Sequence, residues 1–355
     1  MMKAVRFHGQ KDIRLENIEI PKCGKGQVKV KPAYVGICGT DLHEYEEGAN
    51  IIPTTPHPIT KEKAPLTLGH EFSGIIEEVG DDVTDVKIGQ RVSVQPIIYD
   101  GTCGACRDGL INCCDNNGFI GLSGWGGGLS EHVVVPRSAI YEIPDSVSME
   151  LGALVEPLSV AWHSINISPF KKGDAVLVLG GGPIGLAVIQ CLRARGAEKI
   201  IASEVSPGRR EFAKRLGAHY TLDPTTDDVV ARVRELCGGV GADVAFDAAG
   251  VQVGLDQALK AIRAQGTLVN IAVWNKPAQL QMNDLVFREK KYVGVTTFVQ
   301  GDFRQVLDAI ASGALKPGPM ITGKIQMDEI VEKGFKPLVE EKDKHVKILV
   351  EVSPC

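Results

Sequence analysis

The chain has 355 residues, of which 44% are apolar and 23% charged, and its 39 Lys and Arg against 44 Asp and Glu give a net charge of −5. That balance excludes intrinsic disorder, which needs low hydrophobicity with high net charge, and it supplies no basic surplus for a nucleic-acid partner. Nine cysteines in so long a chain do not make a disulfide-built scaffold, and the length allows about two domains.

The N-terminus, MMKAVRFHGQKDIRLE, has scattered charges and no apolar run, so no signal peptide is expected. Short strand-like runs follow at 27–37, 72–80 and 89–99, separated by Gly and Pro, and predict an all-β, barrel-like module over the first 150 residues. Between them, residues 47–65 hold Pro53, Pro56, Pro58 and Pro65, a long irregular loop of the kind that often carries function. From about 170 the texture changes. Strand runs at 175–180, 199–204, 244–250 and 267–273 alternate with helical segments at 184–196, 206–218 and 253–266. This order predicts a doubly wound parallel sheet, hence an α/β fold. Residues 175–192 carry no charge and are long enough to raise a membrane span, but GGGP in their middle breaks a helix. A strand, a turn and a new helix fit instead, so no membrane partner is expected. The tail ends in a strand at 343–352.

Gly180, Gly182 and Gly185 form G-x-G-x-x-G between a strand and a helix opened by Pro183 and Ile184, and Glu204 closes the next strand. Together these match the dinucleotide fingerprint. Glycines let a pyrophosphate approach the backbone, and the helix N-terminus meets the anion with N–H groups and a positive dipole. Glu204 suits the adenosine ribose hydroxyls and repels a 2′-phosphate, which favours NAD over NADP. Arg209 and Arg210 weaken that preference, and Arg209 is a candidate for the adenine face. A glycine turn in a nucleotide-free domain is the competing reading.

Cys38, Thr40, Asp41 and His43 lie in GICGTDLHEY, His70 and Glu71 in LGHEFSG, and Glu156 in LVEPLSVAWH. Thiolate, imidazole and carboxylate make a three-ligand zinc set with an open position, as catalytic zinc requires. From the residues alone a buried cysteine and a core histidine remain the alternative. Asp247, Ala249, Gly250, Val273, Trp274, Thr297 and Phe298 fall at or after strand ends, where open α/β sheets bind ligands, and are candidate nicotinamide walls. Trp125, in a glycine-rich loop, is either a substrate wall or hinge packing.

GICGTD-x-H, GHE-x-SG and GGGPIG in this order resemble the zinc-dependent medium-chain alcohol and polyol dehydrogenases, essentially end to end. PHPITKEKAPLTLGHEFSG and the ending HVKILV resemble the subgroup that acts on (R,R)-2,3-butanediol. The resemblance implies a GroES-like β-barrel catalytic domain from 1–160 and 298–355, with a Rossmann domain at 161–297. It implies catalytic zinc on Cys38, His70 and Glu156, with Glu71 as an alternate ligand. Thr40 and His43 are placed as its proton relay, and Asp41 as the partner that fixes the His70 tautomer. Tyr45 is a candidate substrate contact, although sorbitol dehydrogenases carry their tyrosine one position earlier, where this chain has Glu44.

Family members with a structural zinc space four cysteines C-x2-C-x2-C-x7-C. Cys103, Cys106 and Cys114 match the last three positions, and Asp100 takes the first. A Cys3Asp zinc site is the favoured reading, since Asp is a legitimate ligand; a decaying site and a redox C-x-x-C are the alternatives. The expected activity is NAD-dependent oxidation of a small vicinal diol to a hydroxyketone, 2,3-butanediol to acetoin and the reverse. A sorbitol- or xylitol-type polyol dehydrogenase and a non-catalytic nucleotide-binding relative are the rivals. A cytoplasmic homodimer or homotetramer, with its seam at 285–300, completes the expectation.

Overall fold

The computed structural model describes every residue except Asn275 and Cys355, so the thiol of Cys355 lies outside the described residues. The chain divides into two compact units, Met1–Glu156 with Val299–Ala311 and Ile321–Cys355, and Pro157–Phe298 with Ser312–Met320. The expected division differs chiefly at Ser312–Met320, which groups with the second unit, whereas the resemblance implies 298–355 as part of the first.

In the first unit the sheet path runs Ile140–Glu142, Arg91–Val94, Glu71–Val79, Gln27–Gly36, Lys347–Glu351 and Ile321–Gln326, and Val133–Pro136 also pairs with Gln27–Gly36. Val28, Val30, Val35, Ile76, Val92, Val94, Ile348 and Val350 from these strands are buried in one apolar core. Among the described residues the pairing path does not close on itself. A three-stranded sheet of Asp12–Ile18, Met2–Gly9 and Leu66–Thr67 accompanies it. The single strand expected at 89–99 is two, Arg91–Val94 and Ile97–Ile98. Pro96 between them has no N–H to give a ladder.

The proline-rich loop is pinned rather than loose. Its start is held by Glu44, a fully buried residue whose carboxylate accepts the N–H groups of Asn50, Ile51 and Ile52 at 2.8, 2.7 and 3.3 Å. Its middle is tied by the His57 ring to Asn117 O (3.1 Å), by the Thr60 hydroxyl to Ser123 O (2.6 Å) and by the Trp125 N–H to Glu62 (2.8 Å). Trp125 reaches this last bond, through its backbone N–H, with a positive φ of 58° and is partly buried against the core.

The second unit holds six parallel strands in the order Tyr220–Leu222, Lys199–Ser203, Ala175–Leu179, Ala242–Asp247, Ile262–Asn270, Lys291–Gly294. The order reverses between Ala175–Leu179 and Ala242–Asp247, which is where such sheets bind ligands. The uncharged run is strand Ala175–Leu179, a glycine turn and helix Pro183–Ala194. No helix among the described residues is long and apolar enough to cross a membrane. The helix expected at 253–266 stops at Ala261, because Ile262 turns into the core (2% exposed) and pairs with Ala242.

Replacing Glu44 by Ala removes the shared acceptor of three backbone N–H groups, that of buried Ile52 and those of exposed Asn50 and Ile51. A loss of about 3 kcal/mol in urea unfolding is expected, with Glu44→Gln milder.

Candidate active site

Helix Gly39–Glu47 begins at Cys38, whose backbone N–H donates to Asp41 Oδ2 at 2.9 Å, so the first turn holds thiol and carboxylate together. Strand Glu71–Val79 begins one residue after His70. The outcome is a tight set: ligand atoms of Cys38, His70 and Glu71 all lie within 4.8 Å of one another. Glu156 is not in that set, although the resemblance implied it as a ligand. It is buried, and its charge couples to His70 and Glu71. Two carboxylates sharing a buried space repel, and Glu71 is the one with a fixed countercharge.

That countercharge is Lys347. Its ammonium donates to both Glu71 oxygens at 2.7 Å and to Ile37 O at 3.1 Å, and it is wholly buried. Burial works against a lysine charge, but Glu71, Cys38 and Glu156 around it raise its pKa above the usual value. Gly36 leaves room for this arrangement: a Cβ there would lie 2.1 Å from Glu71 Oε2.

The residues fit a divalent cation on charge alone. Asp41, Glu71 and Glu156 are buried carboxylates, Cys38 adds a thiol, and one ammonium opposes them. Without a metal, burial and the neighbouring carboxylates push the Cys38 thiol well up and the Glu156 carboxyl up to about 7. His70 Nδ1 and Asp41 Oδ1 are buried without a hydrogen-bond partner and face each other at 3.6 Å, slightly beyond hydrogen-bond reach. Asp41 therefore stands where a tautomer-fixing partner is needed, one small shift from contact.

Thr40 is half-buried in the first turn of the helix and His43, three residues on, is exposed. Residues three apart share a helix face, so the pair spans from interior to solvent. Tyr45 faces the apolar core. It is buried with its ring against Phe335 at a centroid distance of 5.1 Å.

A second set, Asp100, Cys103, Cys106 and Cys114, also brings its ligand atoms within 4.8 Å. Backbone amides already face the sulfurs, Asp100 N–H and Asn116 N–H to Cys114 (3.3 and 3.4 Å) and Cys106 N–H to Cys103 (3.4 Å). Asp100 Oδ1 accepts the N–H of Thr102 and Cys103, and Oδ2 accepts the Asn116 amide at 2.9 Å, which holds its carboxyl well below the usual range. Cys106, by contrast, is pushed up to about 12 by burial and the Cys103 sulfur, as expected of thiols crowded together without a cation.

In the cofactor unit the three glycines act for different reasons. Gly180 has φ +92°; Gly185 packs so closely that a Cβ would lie 1.9 Å from Gly180 O; a Cβ on Gly182 would meet nothing within 4 Å, leaving the side from which a phosphate approaches. Pro183 opens the helix at its first turn, and Ile184 and Gly185 follow with N–H groups in the unpaired turn. Glu204 accepts from Gly181 N–H at 2.5 Å and Ser206 N–H at 2.8 Å, which places its carboxylate against the turn. Arg210 donates to Glu204 O and Val205 O and pairs with Asp223 at 2.9 Å, all through one guanidinium nitrogen. Arg209 lies beside the turn, its Cβ 3.1 Å from where a Gly181 Cβ would be. Among the expected nicotinamide walls, Val273 is 76% exposed and Phe298 is fully buried.

Sequence reasoning missed Lys347 and Gly36. The motif HVKILV contains the lysine, and its signal is a cation inside an otherwise apolar strand that is buried from Lys347 to Val350.

The alcohol dehydrogenase GroES-like domain family matches residues 24–145, and the zinc-binding dehydrogenase family matches residues 183–312. The chain is 46% identical over 351 residues to the (R,R)-butanediol dehydrogenase of Bacillus subtilis, covering 98% of this chain and 99% of that protein. It is 38% identical to the (R,R)-butanediol dehydrogenase of Saccharomyces cerevisiae, covering 98% of each. A crystal structure of 2R,3R-butanediol dehydrogenase from B. subtilis superposes with a TM-score of 0.94 at 45% identity, covering 99% of this chain and all, 100%, of that one. L-idonate 5-dehydrogenase of Escherichia coli superposes at 0.86 with 25% identity, covering 99% and 98%. Fold and site thus define a zinc- and nicotinamide-dependent alcohol dehydrogenase. The chain belongs to the zinc-dependent medium-chain dehydrogenase family.

Lys347→Met leaves the Glu71 carboxylate buried without its partner. A loss of about 3–5 kcal/mol in denaturant unfolding is expected, with Lys347→Arg recovering part of it.

Proposed function

We infer that the protein is an NAD- and zinc-dependent dehydrogenase that interconverts (R,R)-2,3-butanediol and acetoin. The observation that carries this is the Cys38–His70–Glu71 cluster, in a chain 46% identical along nearly its whole length to a butanediol dehydrogenase. When bound at Cys38 and His70 with Glu71 or Glu156, zinc supplies Lewis acidity to the substrate hydroxyl, and NAD supplies the hydride acceptor.

The chain's own residues do the rest. The hydroxyl proton passes to Thr40 Oγ1 and on to the exposed His43 imidazole, which gives it to water. Asp41 orients His70, and Lys347 holds Glu71 as a reserve carboxylate beside the cluster. The balance is diol plus NAD to hydroxyketone, NADH and one proton. Glu44 supports a small diol over a polyol: at the position where sorbitol enzymes place tyrosine, this chain has a carboxylate fully engaged with three backbone N–H groups.

Asp100, Cys103, Cys106 and Cys114 are proposed to hold a second, structural zinc. Assembly as a homodimer or homotetramer is proposed along strand Lys291–Gly294, which is the edge of its sheet. A cytoplasmic location suits these unpaired thiols: the eight described cysteines are all free.

Steady-state assays with NAD on (R,R)-, meso- and (S,S)-2,3-butanediol, sorbitol and xylitol test the activity. The kcat/KM for the (R,R)-diol is expected to exceed that for sorbitol by about a hundredfold; a higher value for sorbitol overturns the assignment. Cys38→Ser is expected to abolish turnover while NADH binding, read by fluorescence, persists.

Metal analysis is expected to give two zinc per chain, falling to one in Asp100→Ala together with a lowered Tm. One zinc in the unaltered protein would mean the four-residue lobe holds none.

A further inference from the structure

A parallel sheet has two ends, and the glycine turn occupies one of them. At the other, where Ala242–Asp247, Ile262–Asn270 and Lys291–Gly294 begin, lies a cavity of about 610 Å³. Its walls carry Arg234, Lys260, Arg263, Arg288 and Lys290 against a single carboxylate, Asp284. The reaction above uses none of them.

Part of this charge has a structural task. Helices Val229–Leu236, Gln252–Ala261 and Met282–Val286 end here, and C-terminal carbonyls are partly negative. Arg234 donates to Lys260 O at 2.9 Å and Lys290 to Leu259 O, so both serve the end of Gln252–Ala261. Arg263 pairs with Asp243 at 2.6 Å. Magnitudes show what is left over. Three helix ends offset about 1.5 charges at roughly half a charge each. Asp243 and Asp284 offset two more, so five cations keep a surplus of between one and two charges. Lys290 registers it: burial, then Arg288 and Arg234, hold its pKa below the usual lysine value. The side chains of Lys260 and Arg288 have no hydrogen-bond or ion-pair partner among the described residues, and each capping cation has further N–H groups to give. At the rim Val240 is 63% exposed, an apolar shelf beside the charges.

We propose that this basin is a binding site for a small organic molecule bearing two or more phosphate charges. Guanidinium forks match phosphate oxygens, the volume lies in the range of small-molecule sites, and the shelf accepts a sugar or ring body. Inorganic phosphate shares the chemistry but not the contact with the shelf, so the two sources are separable.

The test is calorimetric titration of the zinc-loaded protein, saturated with NADH so that the glycine turn is filled. Fructose 1,6-bisphosphate is the organic probe, inorganic phosphate the free-anion probe and fructose the uncharged control. The bisphosphate is expected to bind more tightly than phosphate, fructose not at all, and binding is expected to weaken steeply with added NaCl. Lys260→Ala/Arg288→Ala, at positions engaged in no side-chain bond, is expected to weaken the bisphosphate at least about tenfold, whereas Lys260→Arg/Arg288→Lys retains it. No binding at low salt, or equal binding by the alanine pair, overturns the proposal. Phosphate binding as tightly as the bisphosphate overturns the organic assignment.

Discussion

The Lys347 ammonium sits 2.7 Å from both oxygens of Glu71 and, with Lys29, is one of two buried cationic side chains among the described residues. It stands against three buried carboxylates and a thiol. Unit charges 4 Å apart interact by about 4 kcal/mol at an effective dielectric of 20, so one cation cannot settle that company. Burial first, and the neighbouring carboxylates after it, hold the Glu156 carboxyl up at about 7 and the Cys38 thiol well above its ordinary value. A divalent cation offsets the excess negative charge without protons. The demand for a metal therefore comes from the charge count, while the thiol and imidazole decide in favour of a borderline-soft ion such as zinc.

The same pair explains why the catalytic unit draws on both ends of the chain. Lys347 lies 276 residues after Glu71 and 310 after Ile37, and it reaches them because Lys347–Glu351 pairs antiparallel with Gln27–Gly36. Gln27–Gly36 in turn pairs with Glu71–Val79, with Gly36 opposite Glu71. Three strands distant in sequence thus meet at one register, and a glycine at that point is what lets the carboxylate fit. The cofactor unit is an insertion that this closure tolerates, because its sheet is complete in itself.

What was legible in the sequence follows from how local each signal is. The glycine turn, Glu204 and the strand–helix alternation are read within some 30 residues, and the structure sets them together as the pattern implied. Cys38, His70 and Glu71 were legible as chemistry, since those residue types seldom gather without cause. Lys347 was not, because its role depends on a partner 276 residues away and its own strand reads as apolar. The packing of Tyr45 was hidden for the same reason: its sequence neighbours are the expected relay residues, but its ring contact is Phe335. The end of Gln252–Ala261 was missed because I-R-A-Q carries helical propensity, which burial of Ile262 in a strand overrides.

The substitution at Asp100 is best understood through the preparation around it. A site losing its metal keeps no reason to hold its fourth corner, and a free aspartate on a half-buried lobe would turn to water. Here Oδ1 is fixed by two backbone N–H groups and Oδ2 by Asn116, while other amides point at the sulfurs of Cys103 and Cys114. The ligand charge is unchanged, since one carboxylate and three thiolates carry the same total as four thiolates. Zinc accepts oxygen at about 2.0–2.2 Å and sulfur at about 2.3 Å, so the exchange contracts one bond by little. The ligand charge is retained and the carboxylate is held in place, which supports the proposal that Asp100 stands in for the first cysteine.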